Sequence, residues 1–158
     1  MSQDRPKSPE AADLPRGVRV CLLATRWNRE VVDRLVEGAV SRLAELGAIV
    51  DERIVPGAYE LPTAAKWAAE SGRFDAVVAV GCVIRGGTAH FEYVAGTCAE
   101  GLSRVAISTG VPCIFGVLTV ENRQQALDRS GGDHGHAGVD AANAAVEMAA
   151  LRRSLSEA

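Results

Sequence analysis

No stretch of this 158-residue chain reaches the ~20 apolar residues that a membrane-spanning helix requires, because Gly, Arg or Asp interrupts each such run. Runs of basic residues are also missing, and the formal net charge is −3, so neither nucleic acid nor an acidic membrane surface is an expected partner. The four cysteines, Cys21, Cys82, Cys98 and Cys113, form no C-x-x-C pair. Each falls inside an apolar strand or helix pattern, so they read as small buried hydrophobes and not as disulfide or zinc ligands. A reducing, cytoplasmic compartment is therefore expected. Histidine is scarce as well: His134 and His136, with Asp133, lie in a glycine loop and read as turn residues, leaving only His90, so no metal site is expected. Residues 1–17 carry both charge signs, Pro and Ser but no apolar signal core, which suggests a flexible tail ahead of one domain over 18–158.

What is present is a regular alternation. Residues 18–25 (VRVCLLAT) suit a buried parallel strand. Asn28 is placed to cap a helix in which Val32, Leu35, Val36, Ala39, Leu43 and Leu46 recur at three- and four-residue steps. A strand over 49–55 stops at Pro56-Gly57; a helix over 61–71 carries Pro62 in its first turn and Gly72 after its end. A strand over 74–84 leads to a helix from about residue 89 that buries Phe91, Val94, Ala95, Cys98, Leu102 and Val105. A fourth strand spans 111–120, Asn122 and Gln125 form a capping-box pattern for a short helix ending near Ser130, residues 131–138 form a glycine-rich loop, and an Ala-rich helix covers 139–155. This order predicts a three-layer α/β sandwich, flavodoxin-like, with a four-stranded parallel sheet flanked by helices on both faces.

In such a sheet, ligands collect beyond the carboxyl ends of the strands. The segments expected there are Arg26-Trp27-Asn28, residues 56–60, residues 85–90 and residues 119–122. Trp27, in a polar loop, suits stacking on a flat heterocycle or closing the sheet edge; Trp67, on a helix face, reads as packing. Glu60 can accept hydrogen bonds from sugar hydroxyls or sit at a helix start for its charge alone. Gly87 and Thr88 offer backbone amides at a helix N-terminus, where anions bind well, and Thr88 can also cap the helix. The segment is neither a Walker motif nor a dinucleotide fingerprint. His90, just inside that helix, can move protons near neutral pH or be an unpaired surface side chain.

These residues resemble the lumazine synthase family over about residues 18–155. The resemblance rests on RWN at 26–28, VPGAYELP at 55–62, GCVIRGGTAHFEYV at 81–94 and IFGVLTVENRQQALDR at 114–129, in that order and spacing. It implies condensation of 5-amino-6-(D-ribitylamino)uracil with 3,4-dihydroxy-2-butanone 4-phosphate to 6,7-dimethyl-8-ribityllumazine, the penultimate step of riboflavin biosynthesis, without metal or cofactor. It also implies a homopentamer with active sites between subunits, twelve pentamers forming a hollow shell in some relatives, and a functional link to riboflavin synthase. By the same resemblance, Trp27 would stack on the uracil ring. The backbone around Ala58 and Tyr59, with Glu60, would hold the ribityl chain, and the backbone of Cys82, Val83 and Ile84 would meet the pyrimidine edge. Gly87 and Thr88 would cradle the phosphate and His90 would transfer protons. Phe115 and Arg129 would reach in from the adjacent subunit, to the ring and to the phosphate.

One position departs from the pattern. The family loop commonly reads G-N-K-G, and here Gly135-His136-Ala137-Gly138 places Ala137 where a phosphate-binding lysine would stand. His136, when protonated, is the nearest replacement for that charge. The departure motivates a second reading, a weakly or non-catalytic flavin- or lumazine-binding shell protein of the same fold. A flavodoxin-like electron carrier fits the element order but explains neither His90 nor the motif spacings.

Overall fold

In the computed structural model, which describes residues 7–157, four strands form one parallel sheet in the order β2-β1-β3-β4. They are β1 (Arg19–Thr25), β2 (Ile49–Val55), β3 (Ala76–Ile84) and β4 (Cys113–Val120). The helices are α1 (Arg29–Glu45), α2 (Leu61–Glu70), α3 (His90–Thr109), α4 (Arg123–Asp128) and α5 (Ala137–Ser156), with a 3-10 turn at Ala58–Glu60 ahead of α2. The expected three-layer α/β sandwich is thus present. The expected fourth strand is two residues shorter at its start: Pro112 has no N–H for the ladder, although its carbonyl accepts the Val77 amide at 2.8 Å.

Alternation along the strands sends side chains into two apolar layers. Val20, Leu22, Val78 and Val80 pack with Leu35, Ala39 and Leu43 of α1 and with Ala142, Ala145 and Val146 of α5. Cys21, Leu23, Val77 and Ala79 pack on the other face with Leu61 and Ala65 of α2 and Cys98, Leu102 and Val105 of α3. Central strands β1 and β3 are almost wholly buried, whereas β2, at an edge, leaves Ile49 and Ile54 exposed. The small residues of α5 let it approach α1 closely, and at Gly138 the approach is tightest.

The glycine loop expected over 131–138 is instead a short antiparallel hairpin, β5 (Ser130–Gly132) with β6 (Gly135–His136), closed by Asp133-His134. Gly131 and Gly135 hold φ values of 105° and 87°, conformations that favour glycine and make the tight reversal possible. Helix α5 consequently begins two residues earlier than expected, with His136 as its cap. Trp67 does not pack within the protomer; it is 70% exposed on the outer side of α2. Phe91, expected in the buried stripe of α3, is only partly buried and lies under the guanidinium of Arg85.

Tail residues 1–6 lie outside the described residues. In the remainder, the Pro9 carbonyl accepts Arg42 Nη2 at 2.7 Å, and Ala11 and Leu14 pack against the α1/α5 layer. At the opposite end of the sheet from the loops named above, Asp75 ties three elements together. Its carboxylate accepts the Arg19 amide at 2.8 Å and pairs with the guanidinium groups of Arg19 and Arg153. Burial pushes its pKa up, but those hydrogen bonds and charges outweigh burial and hold it below the usual carboxylate value. A depressed folded pKa stabilises the fold above the unfolded pKa, and that contribution is lost as pH falls through the folded value. Asp75→Asn should therefore cost about 1 kcal/mol at pH 7. In denaturant titrations the gap from the parent should close as pH drops below about 4. A gap constant with pH would show that the carboxylate charge is not what stabilises.

Candidate active site

The sheet order creates the site. After β1 the chain enters α1 on one face; after β3 it enters α3 on the other, so a crevice opens between the ends of these adjacent strands. A cleft of about 470 Å³ occupies it, lined by Thr25, Trp27, Asn28, residues 57–60, Cys82, Val83, Ile84, His90 and Val94. This volume falls within the roughly 300–1,000 Å³ of small-molecule pockets.

Each polar wall has a local cause. Trp27 projects from the β1 loop and stays 72% exposed, an indole with little apolar cover from its own chain. Asn28 departs from expectation: its side chain does not cap α1. It holds φ at 53°, a left-handed conformation that Asn tolerates, and its Nδ2 crosses the crevice to donate to the Cys82 carbonyl at 2.9 Å. The Asn28 carbonyl accepts the amides of Val31 and Val32, the third and fourth residues of α1.

Glu60 and Trp27 meet above Gly57. A Cβ at residue 57 would lie 3.1 Å from Glu60 Oε2, tight enough to make the carboxylate shift, and 3.4 Å from Trp27 Nε1, an ordinary contact. The Glu60 carboxylate does not cap α2, which leaves it available for hydroxyl donors. His90 is the first residue of α3 and shares a helix face with Val94, four residues on, so its imidazole looks into the cleft. Its amide donates weakly to Thr88 Oγ1 at 3.4 Å, the capping contact open to Thr88. Burial pushes the Cys82 thiol up to about 11, which keeps it protonated at neutral pH and unsuited to nucleophilic attack.

Of the residues singled out from sequence, Trp27, Ala58, Tyr59, Glu60, Cys82, Val83, Ile84 and His90 come together in this cleft. Gly87 and Thr88 stand in the exposed loop just before His90. Phe115 and Arg129 do not line the cleft of their own chain: Phe115 lies on edge strand β4, 43% exposed, and Arg129 follows α4 with Nη1 donating to the Gln125 carbonyl at 3.1 Å. Ala137 opens α5, its amide bonded to the Arg129 carbonyl at 2.9 Å, so residue 137 adjoins Arg129. The His136 side chain is tied to its own surroundings. Its Nδ1 accepts the Val139 amide at 3.3 Å and its ring lies against α1 where Gly38 lacks a Cβ. Thr25, Asn28, Gly57 and Val94 also line the cleft without having been singled out as site residues. The alternation of β1 was the available signal for Thr25, and the spacing of four from His90 was the signal for Val94.

Among the described residues, no three His, Cys, Asp or Glu side chains gather where they could hold a metal ion, and no helix is long and apolar enough to cross a membrane. The sequence profile of the family described as 6,7-dimethyl-8-ribityllumazine synthase matches residues 17–153. A 6,7-dimethyl-8-ribityllumazine synthase of Edwardsiella ictaluri (strain 93-146) is 53% identical over 134 residues, covering 82% of this chain and 86% of that protein. With the crevice, its aromatic and histidine walls and these matches in agreement, the chain belongs to the 6,7-dimethyl-8-ribityllumazine synthase family.

Proposed function

We propose that the cleft between β1 and β3 is where this chain condenses 5-amino-6-(D-ribitylamino)uracil with 3,4-dihydroxy-2-butanone 4-phosphate. The observation that carries the reading is that Trp27, Glu60 and His90, from the segments that follow three different strands, line one cleft. The uracil ring stacks on the Trp27 indole, with its edge on the backbone of Cys82, Val83 and Ile84. The ribityl hydroxyls donate to Glu60 and meet the backbone of Ala58 and Tyr59. The ketone phosphate rests on the Gly87 and Thr88 amides.

The chemistry needs positions and protons more than a nucleophile. The substrate amine attacks the ketone and water leaves to give an imine; phosphate is then eliminated, the resulting enol tautomerises to a ketone, the ribitylamino nitrogen attacks that carbonyl, and loss of a second water closes the ring. His90 relays protons between these steps. Fixed amides and a guanidinium from Arg129 stabilise the departing phosphate. Holding both substrates together supplies much of the acceleration.

Arg129 and Phe115 lie outside their own chain's cleft, so this reading requires a neighbouring protomer to deliver them. The large side chains of Trp27, Trp67, Tyr93 and Ile107, 70–82% exposed in the single chain, would gain apolar burial in such an assembly. The proposed assembly is a cytoplasmic homopentamer, able to build a shell of twelve pentamers and functionally linked to riboflavin synthase.

Trp27→Ala should raise KM for the ribitylaminouracil roughly tenfold and leave KM for the phosphorylated ketone within about twofold, as one aromatic stack is worth ~1–3 kcal/mol. Steady-state lumazine formation with each substrate varied in turn checks this. Unchanged KM values would remove Trp27 from the ring site.

A further inference from the structure

The loop over 85–89 has few ties of its own. Gly86 and Gly87 have open space around them, α3 lacks a side-chain cap at Ala89, and Thr88 contributes one bond of 3.4 Å. Arg85 supplies what these residues do not. Its amide extends the β3–β4 ladder by donating to the Val120 carbonyl at 2.9 Å. Its Nε donates to Glu121 at 2.8 Å, its Nη1 donates to Glu92, and its guanidinium carbon lies 4.4 Å from the centre of the Phe91 ring.

Glu121 follows β4; Phe91 and Glu92 belong to the first turn of α3, directly after His90. One planar cation therefore fastens the end of β4 to the helix that follows β3, and closes the loop between them. Arg85 does not line the cleft. Glu92 lies roughly 200° around α3 from His90, so the guanidinium grips the helix on the side away from substrate.

We propose that Arg85 is a positioning residue: by bridging Glu121 and Glu92 over Phe91, it holds the Gly87 and Thr88 amides and the His90 imidazole in the geometry that receives the phosphorylated ketone. The proposal rests on the reading of the cleft given above. It is specific to arginine, because only a planar fork meets two carboxylates and stacks on a ring at once; lysine keeps the charge but loses that geometry.

The test is Arg85→Lys in the assembled protein. KM for 3,4-dihydroxy-2-butanone 4-phosphate should rise roughly tenfold, KM for the ribitylaminouracil should stay within about twofold, and the far-ultraviolet dichroism should match the parent. A purely structural role would move both KM values together. Glu121→Gln, which releases one arm and leaves the Glu92 contact, should raise the ketone KM about threefold and gives the answer if Arg85→Lys does not fold. An unchanged ketone KM in a folded variant, or an equal rise in both constants, overturns the proposal. If the unaltered protein forms no lumazine, the reading of the cleft falls with it; parental turnover with an unmoved ketone KM sinks the arginine bridge alone.

Discussion

His90→Gln should lower kcat about 100-fold while both KM values stay within about threefold of the parent. Gln keeps a hydrogen-bonding side chain of similar reach but cannot gain and lose a proton near neutral pH. Imine formation, phosphate elimination and ring closure each need a proton moved. The imidazole at the first position of α3 is the one histidine that lines the cleft among the described residues. General acid–base catalysis spans about 10²–10⁴-fold, and an exposed imidazole belongs near the lower bound because solvent can relay some protons in its place. Binding should be little affected, as the ring stack and the phosphate amides come from other residues. Single-turnover lumazine formation separates the chemical step from product release. If kcat holds at the parental level, proton transfer does not pass through His90.

Gly138→Ala should destabilise the fold by about 3 kcal/mol and lower the thermal midpoint by roughly 6–12 °C at matched protein concentration. An added Cβ would lie 2.1 Å from the Leu35 carbonyl oxygen and 2.9 Å from its carbon. Those are backbone atoms in the middle of α1, so no side-chain rotation relieves the clash. Either α1 and α5 move apart, opening the layer built from Leu35, Ala39, Ala142 and Val146, or the first turn of α5 frays. The second route also disturbs Arg129, whose carbonyl is held by the Ala137 amide. Activity should accordingly fall further than the unfolded fraction alone explains. A thermal midpoint within about 2 °C of the parent, the scatter of a surface change, would show that the helices can separate at no cost.

Much of this architecture is legible in the chain because its cues are local. The spacing of Val32, Leu35, Ala39 and Leu43 marks α1, and Asn122 caps α4 as its pattern suggests, with Oδ1 accepting the Gln125 amide at 2.9 Å. Asn28 shows the limit. As a polar residue before a helix it resembles a cap, but its left-handed backbone and the nearness of β3 send the side chain to the Cys82 carbonyl, 54 residues away in sequence. The hairpin at Ser130–Gly132 and Gly135–His136 was hidden for a related reason: glycines reveal that a chain turns, not which backbone groups will pair across the turn. Trp67 was misplaced because helical spacing tells that a side chain lies on a face, and not whether its own chain covers that face.

The four strands of the main sheet, the five helices, the two apolar layers and the motif spacings that identify the family are legible in the chain, because periodicity and local backbone preference are properties of neighbouring residues. The folded chain added what local cues leave open: that Asn28 reaches across to the Cys82 carbonyl, and that Arg85 clasps Glu92 to Glu121. Those juxtapositions follow from the strand order β2-β1-β3-β4, in which hydrogen-bonded pairing brings together loops that lie far apart along the chain.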